Sequence, residues 1–297
     1  MKSFYSITSL SLRKSIEYLK KYQIYPQKKY GQNFLIDKNI HIIMVNALNP
    51  NSDEAIFEIG TGLGGLTLSL VPMFRHVFSI ERDIHFKPVL EDILSTYQNK
   101  VTILYQDILD FDWVGFLKQK KDEGFMIEKL VGNLPYSISF PLLKKIMEMH
   151  EYFKLAVVMV QKEVGERILA QPGDQDYGLI SIVSKYYSFA EKIHLVRPDV
   201  FYPRPDVDSM IIRFKFSGKP NIRVEDEALF FDLVHAVFQH RRKNIWNTLK
   251  LFFGDKLNKN KLGKLLEEIG IPLNRRGENF SLEEFALLTR EIKKNIH

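Results

Sequence analysis

The sequence predicts an α/β chain, with a doubly wound, mostly parallel sheet of seven strands and then a small all-helical C-terminal domain. Three observations carry this. Short apolar strand candidates alternate with helix candidates between residues 55 and 160, as in a parallel sheet with crossover helices. The first strand runs directly into Gly60-x-Gly62-x-x-Gly65, a turn that lets backbone approach a bound phosphate or sugar. Beyond Ser217-Gly218-Lys219-Pro220 every segment is helix-compatible, so that linker marks a boundary between residues 1–217 and 218–297.

In chain order, Ser11 to Tyr22 reads as a short basic amphipathic helix ended by Pro26. Lys28-Lys29-Tyr30-Gly31-Gln32-Asn33-Phe34-Leu35 reads as a basic loop, after which Asp37 can cap a helix through Leu48. The strands are Ala55–Ile59, Val77–Ile80, Val101–Tyr105, Met126–Val131 and Leu155–Val160. The last is nearly all apolar, as suits a strand covered on both faces. A helix to Ala170 and another from Leu179 to Phe189 precede two final strands, about Lys192–Val196 and Ser209–Phe216, around a Pro-rich loop. Four helices close the chain: about Asp226–Phe238, Ile245–Phe253, Asn260–Ile269 and Leu282–Asn295.

Composition excludes several classes of function. With no Cys among 297 residues, disulfides, thiolate metal sites, iron–sulfur clusters and Cys nucleophiles are out, and a cytoplasmic location is expected. The eight His lack metal-ligand spacing, so they read as ordinary surface or packing residues and no metal is expected. No apolar run is long enough for a bilayer, and no membrane association is expected. Seven basic residues against Glu17 alone in positions 1–35 account for the whole net charge of +6, which suggests an arm that contacts phosphate.

The chemistry is expected around Asn133-Leu134-Pro135-Tyr136. The Asn oxygen and the Leu134 carbonyl can both accept from one exocyclic amino group, while Tyr136 stacks on the base that carries it. Gly60 and Gly62 form the turn of a nucleoside site, and Glu81, ending the second strand, can accept from two ribose hydroxyls. NAD and S-adenosylmethionine fit this pattern equally. Two residues favour the sulfonium cofactor: Glu58, a carboxylate beside the turn that suits a cation better than a pyrophosphate, and Asp107, placed to accept from an adenine amino group or to cap the next turn.

These motifs, together with Phe201-Tyr202-Pro203-Arg204-Pro205-Asp206-Val207-Asp208-Ser209, Gln239-His240-Arg241-Arg242-Lys243-Asn244 and Arg276-Gly277-Glu278-Asn279-Phe280-Ser281, closely resemble those of the bacterial small-subunit ribosomal RNA adenine N6,N6-dimethyltransferases, the kasugamycin-sensitivity family. The match runs from about Leu12 to Phe285. Thr61 stands where many relatives have Pro, and Gly277 where many have Ala. The resemblance implies a Rossmann-like class I methyltransferase. It implies that Asn33, Leu35, Gly60, Glu81, Asp107 and Asn133 contact S-adenosylmethionine. It also implies the substrate, two adjacent adenines in a hairpin loop near the 3′ end of small-subunit rRNA, each dimethylated within the immature subunit.

Phe201 is the candidate for the second wall of the base pocket. Lys28 and Lys29 in the arm, and Arg241, Arg242 and Lys243 after a helix break expected near His240, are candidates for RNA phosphate contact. The protein is expected to act as a monomer. The alternatives are a non-catalytic or dual-role ribosome-assembly factor, and a large-subunit rRNA adenine methyltransferase of the macrolide-resistance type.

Overall fold

The computed structural model describes residues 9–26, 32–254 and 259–296; Lys28 and Lys29 lie outside them. Two compact units are distinguished. One takes the chain to Gly165 and Phe189–Gly218, the other Glu166–Ser188 and the chain from Lys219.

In the first unit, α1 (Leu12–Lys21) starts at Ser11, whose hydroxyl accepts from Lys14 N–H. After β1 (Phe34–Leu35), α2 (Lys38–Ala47) begins at Asp37, whose Oδ1 accepts from the Asn39 and Ile40 N–H groups at 2.7 and 3.2 Å, an N-cap that satisfies two otherwise orphaned donors. The predicted alternation follows: β2 (Ala55–Ile59), α3 (Gly65–Leu70), β3 (His76–Glu81), α4 (Lys87–Ile93), β4 (Val101–Tyr105), α5 (Trp113–Asp122), β5 (Ile127–Asn133), α6 (Ser139–Glu148), β6 (Leu155–Gln161) and α7 (Lys162–Leu169), which is divided between the two units after Gly165. β7 (Phe189–Val196), β8 (Phe201–Tyr202) and β9 (Ser209–Lys215) come last.

The seven-stranded sheet has the order β4-β3-β2-β5-β6-β9-β7. Pairing is parallel from β4 to β6, and β9 lies antiparallel between β6 and β7. Every residue of β2, and Leu155–Val160 of β6, is buried, which is why Leu155–Val160 reads as a continuous apolar run and β2 as one broken only by Glu58. One core cluster packs Met44, Leu48, Leu70 and Phe74 against Ile56, Val157 and Ile211. Phe57 stacks on Phe111 at 5.6 Å and meets Trp113 and Phe116. Each such side chain contributes about 1.5–3 kcal/mol by leaving water.

One element departs from the expectation. β1 and β8 form an antiparallel ribbon, Phe34 opposite Tyr202 and Leu35 opposite Phe201, joining two stretches that read as loops. Two residues per strand carry too little periodicity to be recognised.

In the second unit, α8 (Leu179–Tyr187) is followed by α9 (Glu227–Gln239), α10 (Ile245–Phe253), α11 (Lys259–Glu268) and α12 (Leu282–Ile296), close to the predicted bounds. Asp226 and Asn244 cap α9 and α10 through Leu229 and Asn247 N–H. Ser281 and Glu284 make a reciprocal capping box at α12. The division at 217/218 needs a correction here, because Glu166–Ser188 belongs with the helices. Tyr186 stacks on Phe230 at 5.1 Å, and the Tyr177 hydroxyl donates to the Phe280 carbonyl at 2.8 Å. Aromatic partners so distant in sequence leave no local mark.

α9 ends as expected, with His240 at φ −117° and ψ 40°. Arg242 and Lys243 are exposed. Arg241 is partly committed, pairing with Glu278 at 3.3 Å and donating to the Gln175 carbonyl at 2.7 Å. Among the described residues no helix is long and apolar enough to cross a membrane.

Candidate active site

A cavity of about 480 Å³ opens at the C-terminal ends of β2 to β5 in the first unit. β2 lies between β3 and β5, so the chain winds away in both directions there, and the loops diverge to leave a crevice.

The floor is the glycine turn. Gly60, Gly62 and Gly64 have φ of +80°, +53° and +74°, a left-handed run that only glycine adopts without strain. A Cβ on Gly62 would also stand 3.2 Å from the Phe34 ring. Thr61 ties the turn to β3 by a 2.6 Å bond between its hydroxyl and that of Ser79.

Glu81 faces this turn and is 9% exposed. Its Oε2 accepts from Gly62 N–H and its Oε1 from Asp83 N–H, both at 2.9 Å. Burial pushes the carboxyl above its usual range, while these backbone bonds pull the other way. A carboxylate has about four lone-pair sites, so Glu81 keeps acceptor capacity toward the cavity. Asp107 lines the next wall. Its Oδ1 caps Leu109 N–H at 2.9 Å and its Oδ2 pairs with Arg82 at 3.2 Å.

Asn33, Leu35, Asn133, Leu134, Pro135 and Tyr136 complete the wall. Asn133 Nδ2 donates to the Asn33 carbonyl at 3.1 Å. Only the amide nitrogen can donate to a carbonyl, so the side chain is fixed with Oδ1 as the atom left over. Leu134 N–H donates to the Met159 carbonyl at 3.0 Å. The Ser139 hydroxyl donates to the Pro135 and Tyr136 carbonyls at 3.0 and 3.2 Å, and the Tyr136 hydroxyl meets Ser209 Oγ at 2.8 Å.

The sequence of motifs around this cavity matches one known family, described as "Ribosomal RNA adenine dimethylase", over residues 25–292. The chain belongs to that family. It is 38% identical to "Ribosomal RNA small subunit methyltransferase A" of Halothermothrix orenii, covering 93% of this chain and 91% of the relative. It is 42% identical to the protein of the same name from Shouchella clausii, covering 91% of each. Among solved structures it resembles a dimethyladenosine transferase from Plasmodium falciparum, with a TM-score of 0.71, 25% identity, and 88% of this chain and 98% of that one covered.

Two expected site residues of this dimethylase-family chain lie elsewhere. Phe201 is not a wall of the cavity: it is 3% exposed and sits in the core cluster with Leu35, Val196 and Ile211. Its strand pairs with β1, and burying an apolar ring there outweighs presenting it to solvent. Glu58 does not line the cavity either. It is 0% exposed beneath the turn, with Oε2 accepting from the Thr67 hydroxyl at 2.7 Å. Burial pushes its carboxyl up to about 7.

That shift has a sign. Glu58 is neutral in folded and unfolded chains below about pH 4.5. Above that the unfolded chain releases the proton and the folded chain keeps it, so its contribution to stability is lost as pH rises to about 7. Glu58→Gln should therefore flatten the decline in stability between pH 5 and pH 7.5, by on the order of 3 kcal/mol at most. Urea midpoints across that range check this; parallel curves for the two proteins would refute it.

His41, by its sequence context an ordinary packing residue, lines the cavity. It is 1% exposed, its Nδ1 meets Ser9 Oγ at 2.9 Å, and burial holds it down at about 4, so it is neutral at physiological pH. Its position four residues after the Asp37 cap, on the apolar face of α2, is the signal that places it inward. Among the described residues no group of His, Cys, Asp and Glu could hold a metal ion.

Proposed function

We propose that this chain transfers methyl groups from S-adenosylmethionine to N6 of two adjacent adenines in a hairpin loop near the 3′ end of small-subunit rRNA, giving dimethyladenosines during ribosome maturation. The observation that carries the reading is Asn133. Its amide is fixed by Asn33, its Oδ1 is left over, and an anchored Tyr136 stands beside it on the wall that also holds Glu81.

The residues present fit the cofactor. Glu81 keeps acceptors for the ribose hydroxyls, Asp107 for the adenine amino group, and the Gly60–Gly62 turn gives close backbone approach, with Asn33 and Leu35 opposite. When bound, S-adenosylmethionine supplies an electrophilic methyl group with a neutral thioether as leaving group. The adenine amino nitrogen is a poor nucleophile because its lone pair is delocalised into the ring. In the first transfer Asn133 Oδ1 and the Leu134 carbonyl accept hydrogen bonds from its two N–H groups, in the second from the one that remains, and favour a more tetrahedral nitrogen. Pro135 stiffens the turn, and Tyr136 holds the base by its face, worth about 1–3 kcal/mol. The alkylated nitrogen is acidic and gives its proton to water, so this chain's part is mainly positioning.

The helical unit serves as the RNA- and subunit-binding part, the enzyme works as a cytoplasmic monomer, and Arg242 and Lys243, with Arg241 and the basic arm at Lys28 and Lys29, contact phosphate. Replacing Arg241, Arg242 and Lys243 together by Ala should weaken subunit binding and flatten its dependence on salt. The slope of log affinity against log salt should fall by roughly 0.7–0.9 for each phosphate that is no longer neutralised. Cofactor affinity should not change. A titration series in salt reads this directly, and an unaltered slope would assign the three residues to structure alone.

The reading as a whole is tested by incubating the protein with methyl-labelled S-adenosylmethionine and undermodified small subunits and mapping the label. Two adjacent adenines labelled at N6 in small-subunit rRNA are expected. Label confined to large-subunit rRNA, or none, overturns it.

A further inference from the structure

Tyr136 is tied at its backbone and at the tip of its ring. Its carbonyl accepts from Ser139 Oγ at 3.2 Å and its hydroxyl meets Ser209 Oγ at 2.8 Å. Ser209 is the first residue of β9, is 0% exposed, and lies opposite Gln161 of β6 and Val196 of β7. It is therefore fixed inside the sheet. Because β9 runs antiparallel to β6, its first residue is level with the C-terminal end of β6, beside the mouth of the cavity. Side chains alternate along a strand, so a hydroxyl one residue further on would point to the opposite face.

A stacking ring is useful in one plane. A side chain that reaches that plane before substrate arrives avoids the cost of being ordered on binding. We infer that Ser209 is a positioning residue for methyl transfer, its buried hydroxyl holding the Tyr136 ring in the plane that receives the substrate base. This rests on the reading of Tyr136 as the stacking ring. Neither hydroxyl touches the reacting atoms: the bond sets where the ring lies, and the ring sets where N6 lies.

The test is a double-mutant cycle in the full chain, with single-turnover transfer to undermodified small subunits at saturating S-adenosylmethionine. Ser209→Ala and Tyr136→Phe remove the same bond from opposite ends. Each should slow transfer by roughly threefold to tenfold, the range of one neutral hydrogen bond, and the double variant should be no slower than either single. Calorimetry should show unchanged cofactor affinity. A purely structural Ser209 would lower the melting temperature and leave the rate of the folded fraction unchanged, and that result overturns the inference. So do losses that multiply in the double variant. If Ser209→Ala does not fold, Tyr136→Phe alone decides, and a wild-type rate overturns the inference. Tyr136→Ala separates the two levels: a wild-type rate there removes the stacking reading itself, whereas lost transfer there with normal Tyr136→Phe and Ser209→Ala overturns only the role of Ser209.

Discussion

Asn133→Ala is expected to abolish methyl transfer while the small subunit still binds. Removing a preorganised polar group that acts on the reacting atom costs roughly a hundredfold to a thousandfold in rate, and nothing nearby replaces Oδ1. The substitution also deletes the bond from Nδ2 to the Asn33 carbonyl. Asn33 and Leu35 share the cavity wall, so cofactor affinity should fall modestly. Docking of RNA should persist, because the ring of Tyr136 and the basic surfaces are untouched. Single-turnover transfer at saturating cofactor and subunit binding in one buffer give the answer together. Near-normal transfer would reduce the tetrapeptide to a turn, and lost binding with intact chemistry would make Asn133 an RNA anchor.

Glu81→Ala should weaken S-adenosylmethionine binding by about 1.5–3 kcal/mol, the range for a hydrogen bond to a charged group. The structure adds a second cost. Gly62 and Asp83 N–H lose their acceptor, so the turn loosens and the melting temperature should drop although the chain still folds. Glu81→Gln keeps one oxygen acceptor and should fall between. Calorimetry on folded protein decides: full affinity in Glu81→Ala would remove this residue from the ribose site.

Much of this architecture is legible without coordinates. β6 is covered on both faces, and that covering is what makes a continuous apolar run of Leu155–Val160. The glycine turn is legible because three left-handed positions admit little else. Side-chain direction is harder. Glu58, in the strand leading to the glycine turn, and Glu81, at the end of the neighbouring strand, both lie against that turn, but only Glu81 faces the cavity; Glu58 goes under the turn to Thr67. Phe201 misleads for a related reason: an aromatic in a Pro-rich stretch looks available until the two-residue ribbon with Leu35 buries it. The placement of residues 166–188 depends on Tyr177 and Tyr186 meeting Phe280 and Phe230, and no local pattern encodes partners so far away.

The position of β9 bears on how the chain survives its own synthesis. β6 is apolar from Leu155 to Val160, with no proline and no charge in that run, the makeup of a segment that templates intermolecular pairing when an edge is open. One edge is covered by β5 as soon as β6 forms. The other is covered only by β9, which emerges after α7, α8 and β7 have all been made. β7 cannot shield it, since its own partner in the sheet is also β9. A nascent chain that stalls before Ser209 therefore carries an aggregation-prone edge and an unpaired strand at once. The strand that quenches that edge is also the one that brings Ser209 to Tyr136, so protection from aggregation and completion of the site arrive together.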